Sequence, residues 1–101
     1  MRIRILRSAF KDLAAGQRFY ERQGEGLGDY FLDSLFSDID SLKLYAGIHR
    51  QVFGFHRLLS KRFPFAIYYR CPSDKEVIVF RVLDGRRDPA RIEAELKRAA
   101  R

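Results

Sequence analysis

The chain has 101 residues, 47% of them apolar, and a formal charge of +7, which fits one folded domain with a modest core and excludes a disordered tail. Cys71 is the only cysteine, so no internal disulfide can form, as suits a reducing compartment. No run approaches the ~18 apolar residues of a membrane span, and the opening residues lack the apolar core of a signal peptide, so a cytoplasmic protein without a membrane partner is expected.

Residues 2–7 alternate, with Ile3 and Ile5 facing one way and Arg2 and Arg4 the other, the pattern of a half-buried strand. Ser8 suits the N-cap of a helix that runs to about Gln23 and is broken by Gly24-Glu25-Gly26. These glycines, with Gly28, read as a flexible turn between helices, since no strand precedes them as a phosphate-binding loop requires. A second helix is predicted over 28–45: Phe31, Leu32, Leu35, Ile39 and Leu42 fall in one stripe about 100° wide. Asp29, Asp33 and Asp40 group outside that stripe as a solvated face. Their spacing suits a divalent ion in principle, but no His or ligand-rich segment supports one, and no metal site is expected.

After Gly47 the apolar period changes to two. Strands are predicted over 52–60, 63–70 and 76–83, with Cys71-Pro72-Ser73-Asp74 as a turn. The stretch from Val77 to Leu83 is apolar on both faces except at Arg81, as in a strand inside a helix-covered sheet. Asp88 and Pro89 make a helix start, N-cap then first-turn proline, for a last helix over 89–99. The order β-α-α-β-β-β-α gives an α+β domain over 1–101. Its small, mostly antiparallel sheet carries the two N-terminal helices on one face and leaves the other open.

The charge is uneven. Residues 1–50 hold eight Lys/Arg against seven Asp/Glu, and residues 51–101 hold twelve against six. A positive field of this kind favours nucleic acid, an acidic protein or an anionic surface. One Cys and two His are too few for a zinc site of about four ligands. RNA cleavage needs a base, an acid and cations at the phosphate. Arg57, Lys61, Arg62, Arg70, Arg81, Arg86 and Arg87 offer the cations; His49, His56, Tyr68 and Tyr69 are the candidate proton handlers. Strand parity sets Phe65, Ile67 and Tyr69 inward and Tyr68 with Arg70 outward, and a helix-facing His56 reads as a core histidine. The last ten residues contain no His, Tyr or Cys, so a terminal proton donor is missing.

Three segments carry a resemblance: Glu25-Gly-Leu-Gly-Asp-Tyr-Phe-Leu32, Arg57-Leu-Leu with Arg62-Phe-Pro-Phe-Ala-Ile-Tyr-Tyr69, and Val79-Phe-Arg-Val-Leu-Asp-Gly-Arg-Arg-Asp-Pro89. With Asp12-Leu13 they resemble the ParE branch of the ParE/RelE toxin superfamily over about residues 8–90. The resemblance implies the toxin of a type II toxin–antitoxin pair, a plasmid-stabilisation protein without a cofactor. It implies an antitoxin with an acidic tail and a ribbon-helix-helix start, and DNA gyrase as the target. Two alternatives stand beside it: a ribosome-dependent endoribonuclease of messenger RNA, as in RelE, and a non-toxic antitoxin-binding relative. The late catalytic Tyr or His of RelE-like sequences is lacking here, which favours a protein inhibitor over an enzyme. Carried over by position, Arg57, Arg62, Arg81, Arg86 and Arg87 are the residues implied to bind target or antitoxin. Tyr68 and Arg70 join them from the strand pattern. Arg57, Arg62, Arg81, His56 and Tyr68 are the weak catalytic candidates if the chain cuts RNA.

Overall fold

The computed structural model describes residues 1–100. Its elements are β1 (Arg2–Ile5), α1 (Arg7–Glu21), α2 (Leu27–Asp40), the single-turn α3 (Leu42–Tyr45), β2 (Gln51–Val52), β3 (Phe55–Leu59), β4 (Phe65–Ser73), β5 (Glu76–Asp84) and α4 (Pro89–Ala99). The sheet runs in the order β1-β5-β4-β3-β2. β1 lies parallel to β5, and every other pair is antiparallel. The expected α+β order holds, with two refinements. The strand predicted over 52–60 is a hairpin: Phe53 and Gly54 both take positive φ, 54° and 82°, and close a two-residue turn between β2 and β3. The turn predicted at Cys71–Asp74 lies later, because β4 continues to Ser73. Pro72 is tolerated there because β3 pairs with β4 only as far as Tyr69, so its side of β4 is an edge.

The α2 stripe packs as read. Phe31, Leu35, Ile39 and Leu42 are buried with Ala9 and Leu13 of α1 against Ile67, Tyr69, Val77, Val79 and Val82 of the sheet. Asp29, Asp33 and Asp40 are exposed. The glycines between α1 and α2 do more than bend the chain. A Cβ on Gly28 would stand 2.7 Å from the Gln17 carbonyl oxygen, so the two helices approach through a missing side chain. The Glu21 carboxylate accepts from the N–H groups of Gly26 and Gly28 at 3.2 and 2.9 Å, satisfying donors at the start of α2.

Two expectations are corrected. Ser8 is not an N-cap: α1 starts after Leu6, and the Ser8 hydroxyl instead donates to the Phe80 carbonyl at 2.7 Å. The second sheet face is not open, because α4 covers part of it. Ile92 and Leu96 bury Phe55, Ala66, Tyr68 and Leu83 in a second core. The helix start is as read: the Asp88 side chain accepts from the Ala90 N–H at 3.0 Å.

Candidate functional site

Arg57, Tyr68 and Arg81 occupy successive strands in one cross-strand row, and Tyr68 faces away from the α1/α2 core as its parity indicated. What covers that face differs from expectation. Tyr68, read as a surface residue, is only 2% exposed beneath α4. Burial raises its phenol pKa, and the neighbouring Arg57 guanidinium opposes part of that rise, so the hydroxyl stays protonated near neutral pH.

Arg81, read as part of the exposed basic surface, is turned into the protein by a bulge. Tyr68 pairs with Arg81 and Tyr69 with Val79, so Phe80 is the extra residue on β5, and its peptide groups lose their ladder partners. Two side chains of α1 bond the backbone of β5 around it. Ser8 donates to the Phe80 carbonyl, and Asp12 Oδ2 accepts from the Val82 N–H at 2.9 Å. The same carboxylate takes Arg81 in two bonds, from Nε at 2.7 Å and Nη2 at 2.9 Å. Glu95 of α4 accepts from the remaining Nη1. The Asp12 bonds raise the Arg81 pKa above its already high value, and the Arg81 bond holds Glu95 below the usual carboxylate range. Arg81 is therefore the tie between α1, β5 and α4. The sequence gives no sign of it, because Asp12 lies 69 residues away.

The remaining candidates separate into two groups. Arg57, Tyr68 and Arg87 line one cleft of about 240 Å³, with Val52, Phe53, Leu59, Ala66, Gly85, Pro89 and Ile92. Arg86 lines the adjoining cleft, which shares Leu59 and Gly85 with the first, and Arg62 is exposed on the loop between β3 and β4. Arg86 is bonded to Asp84 through Nε and Nη2 at 3.0 and 2.8 Å, which holds the Asp84 pKa down. Arg57, Lys61, Arg62 and Arg87 make no salt bridge among the described residues.

Arg70 and His56 lie elsewhere, in a cleft with Gln51, Gly54, Cys71 and Phe80. The Arg70 guanidinium stacks 4.0 Å from the Phe55 ring centre, and its Nε donates to the Gly54 carbonyl. His56 is a structural histidine, as its parity suggested. Its Nδ1 donates to the His49 carbonyl at 2.7 Å, and its ring stacks on Tyr69. The Tyr69 hydroxyl accepts from the Gly47 N–H and shares a hydrogen bond with His49 Nδ1. Burial, then the nearby His56, push the His49 pKa down.

The Arg57–Arg87 cleft thus joins two cations, a buried phenol and an apolar floor. Neither histidine lines it, so no side chain there is a ready proton acceptor near neutral pH. Among the described residues no three His, Cys, Asp or Glu side chains converge as a metal site needs. No helix is long and apolar enough to cross a membrane. Leu59 and Phe53 line this site, and Leu59 was not singled out from the sequence. The one available signal was the doublet Leu58-Leu59, in which strand parity forces one leucine to the outer face.

A comparison with curated proteins finds no match. Among solved structures, a chain of the chromosomal ParDE toxin–antitoxin system from P. aeruginosa is similar in fold. Its TM-score is 0.72 at 25% identity, over 81% of this chain and 92% of that one. The family model for the ParE toxin of the type II toxin–antitoxin system, parDE, matches residues 3–89. The chain belongs to the ParE toxin family.

Proposed function

We propose that this chain is the toxin of a type II pair, that it acts by binding and inhibiting DNA gyrase, and that a cognate antitoxin with an acidic tail neutralises it. One observation carries the reading: the cations Arg57 and Arg87, which make no salt bridge among the described residues, meet in an apolar cleft that holds no proton acceptor near neutral pH. Such a surface suits recognition of an acidic partner, where charge complementarity sets encounter and register. It supplies the cations of an RNA-cleaving site without its base. Family membership supports the antitoxin. Arg62 and Arg86 extend the cationic rim. Arg81 contributes through the fold and not by contact.

The endoribonuclease reading keeps one supporting observation, the presence of Arg57, Arg87 and the Tyr68 hydroxyl in a single cleft. A gyrase supercoiling assay separates the two. Purified toxin is expected to block supercoiling, and Arg57→Ala/Arg87→Ala to relieve the block by about tenfold, as the loss of about 1.4 kcal/mol of binding would. Unchanged supercoiling, together with new messenger RNA 5′ ends after induction, would instead establish cleavage.

A further inference from the structure

We propose that Phe53, at the tip of the β2–β3 hairpin, is an aromatic anchor that inserts into an apolar pocket on the acidic protein target and helps to select it. This role rests on the gyrase reading above and adds to it the apolar contact that Arg57 and Arg87 flank.

The turn itself does not call for a phenyl ring. Phe53 has φ 54° and Gly54 φ 82°, and Val52 pairs with Phe55 across them. A two-residue turn with positive φ at both central positions favours Asn, Asp or Gly at the first. There a Cβ crowds the following carbonyl oxygen, and a bulky residue is rare. Asn-Gly would close the same hairpin with less strain. The core does not call for the ring either. Phe53 is 42% exposed and is part of neither core, whereas Phe55 is buried in the second. What the ring does line is the cleft that holds Arg57, Leu59 and Arg87. Strain held at a residue that the fold does not need is the pattern of a functional site.

The tip is also clamped. Arg70 donates from Nε to the Gly54 carbonyl at 3.1 Å. Its guanidinium lies 4.0 Å from the Phe55 ring centre and 5.4 Å from that of Phe80, a cation–π contact with two rings. A Cβ on Gly54 would stand 3.4 Å from Arg70 Nη2, so the guanidinium rests against the turn. Arg70 is thus a positioning residue: it ties the tip to the second core and reduces the ordering that binding requires.

The surroundings select the occupant. Arg57 and Arg87 on the same lining make no salt bridge among the described residues. The matching surface is an apolar pocket with carboxylates at its rim, and interfaces concentrate their energy in such buried aromatic anchors. A nucleobase would stack on the ring but gains little from Leu59, 60% exposed on the same lining. An apolar pocket of a protein covers both.

The test runs the purified full chain in the supercoiling assay beside Phe53→Asn, Phe53→Tyr and Arg70→Ala. Phe53→Asn suits the positive φ and removes the ring. Its thermal midpoint is expected to equal or exceed the parent's, while inhibition weakens at least about tenfold. Phe53→Tyr keeps the ring and is expected to inhibit within about twofold of the parent. Arg70→Ala is expected to weaken inhibition about threefold and to add little to Phe53→Asn, because it acts through that ring; full additivity would overturn the positioning role. A Phe53→Asn variant that inhibits as the parent does, or that loses inhibition only in proportion to its unfolded fraction, overturns the anchor and leaves the gyrase reading standing. If the parent leaves supercoiling untouched, the gyrase reading falls and growth on induction decides the anchor. Arrest lost in Phe53→Asn at equal soluble level and kept in Phe53→Tyr upholds it. Growth unaffected by the parent, arrest by Phe53→Asn as full as the parent's, or new messenger RNA 5′ ends overturns it.

Discussion

Replacing Asp12 by Ala tests whether the bulge in β5 is held from α1. The substitution removes three bonds at once, two from Arg81 and one from the Val82 N–H. Breaking a buried ion pair from one side costs about 3–5 kcal/mol, and an orphaned buried N–H about 1–3 kcal/mol. Here the Arg81 and Asp12 side chains are 15% and 13% exposed, and Glu95 still holds one guanidinium nitrogen. Solvent access and the surviving bond reduce the sum to about 2–4 kcal/mol, or roughly 10–25 °C in Tm for a domain of this size. Urea titration is the assay; the midpoint is expected to fall with the slope unchanged. Asp12→Asn keeps an acceptor for Val82 and should lose about half as much. A loss below about 1 kcal/mol for Asp12→Ala, or an Asn variant as damaged as the Ala one, refutes the reasoning. The same account predicts that Arg81→Ala weakens the toxin in proportion to the fraction unfolded, with affinity per folded molecule unchanged.

The other predictions concern the core and the helix ends. Because the folded-state pKa of His49 is lowered, the unfolded chain binds more protons as pH falls. Stability is therefore full above the unfolded value near 6.5 and declines as pH drops below it, read as a falling urea midpoint that His49→Gln flattens. Gly16→Ala places a Cβ 2.4 Å from the Phe31 ring. Overpacking of about 1–3 kcal/mol should outweigh the roughly 1 kcal/mol gained in helix propensity, so thermal melting shows a net loss or at best no gain. Asp88→Ala removes the cap bond to Ala90 and should cost about 1 kcal/mol, visible as faster amide exchange in the first turn of α4.

The elements that could be read from the sequence are those whose evidence is local. The α2 stripe, the Asp88-Pro89 start and the inward set Phe65, Ile67 and Tyr69 each depend on periodicity or on adjacent residues, and each stands as read. The errors share a cause. Tyr68 faces away from the α1/α2 core, as its parity required, but parity does not say that α4 returns over that face. Arg81 was grouped with the free cations because its partners, Asp12 and Glu95, come from other elements. An apolar period of two runs through Phe53-Gly54 unbroken, so the hairpin that leaves β2 only two residues long was hidden. That short β2 is what exposes the β3 edge.

The distribution of carboxylates decides which cations are available. Between residues 51 and 73 there are four cations, Arg57, Lys61, Arg62 and Arg70, and no Asp or Glu. All six acids of the C-terminal half lie at or beyond Asp74, and three of them pair with cations of that later segment: Asp84 binds Arg86, Glu93 binds Lys97, and Glu95 binds both Arg81 and Arg98. The field that β3 and its loop present is thus not neutralised from within their own stretch of chain. Asp38 of α2 comes nearest. It accepts from the Ser60 hydroxyl at 2.7 Å and the Lys61 N–H at 3.3 Å, fixing the backbone of the loop, while the Lys61 ammonium makes no salt bridge among the described residues. A loop anchored through its backbone keeps its cations free and in place, so an acidic partner meets them without first ordering the loop.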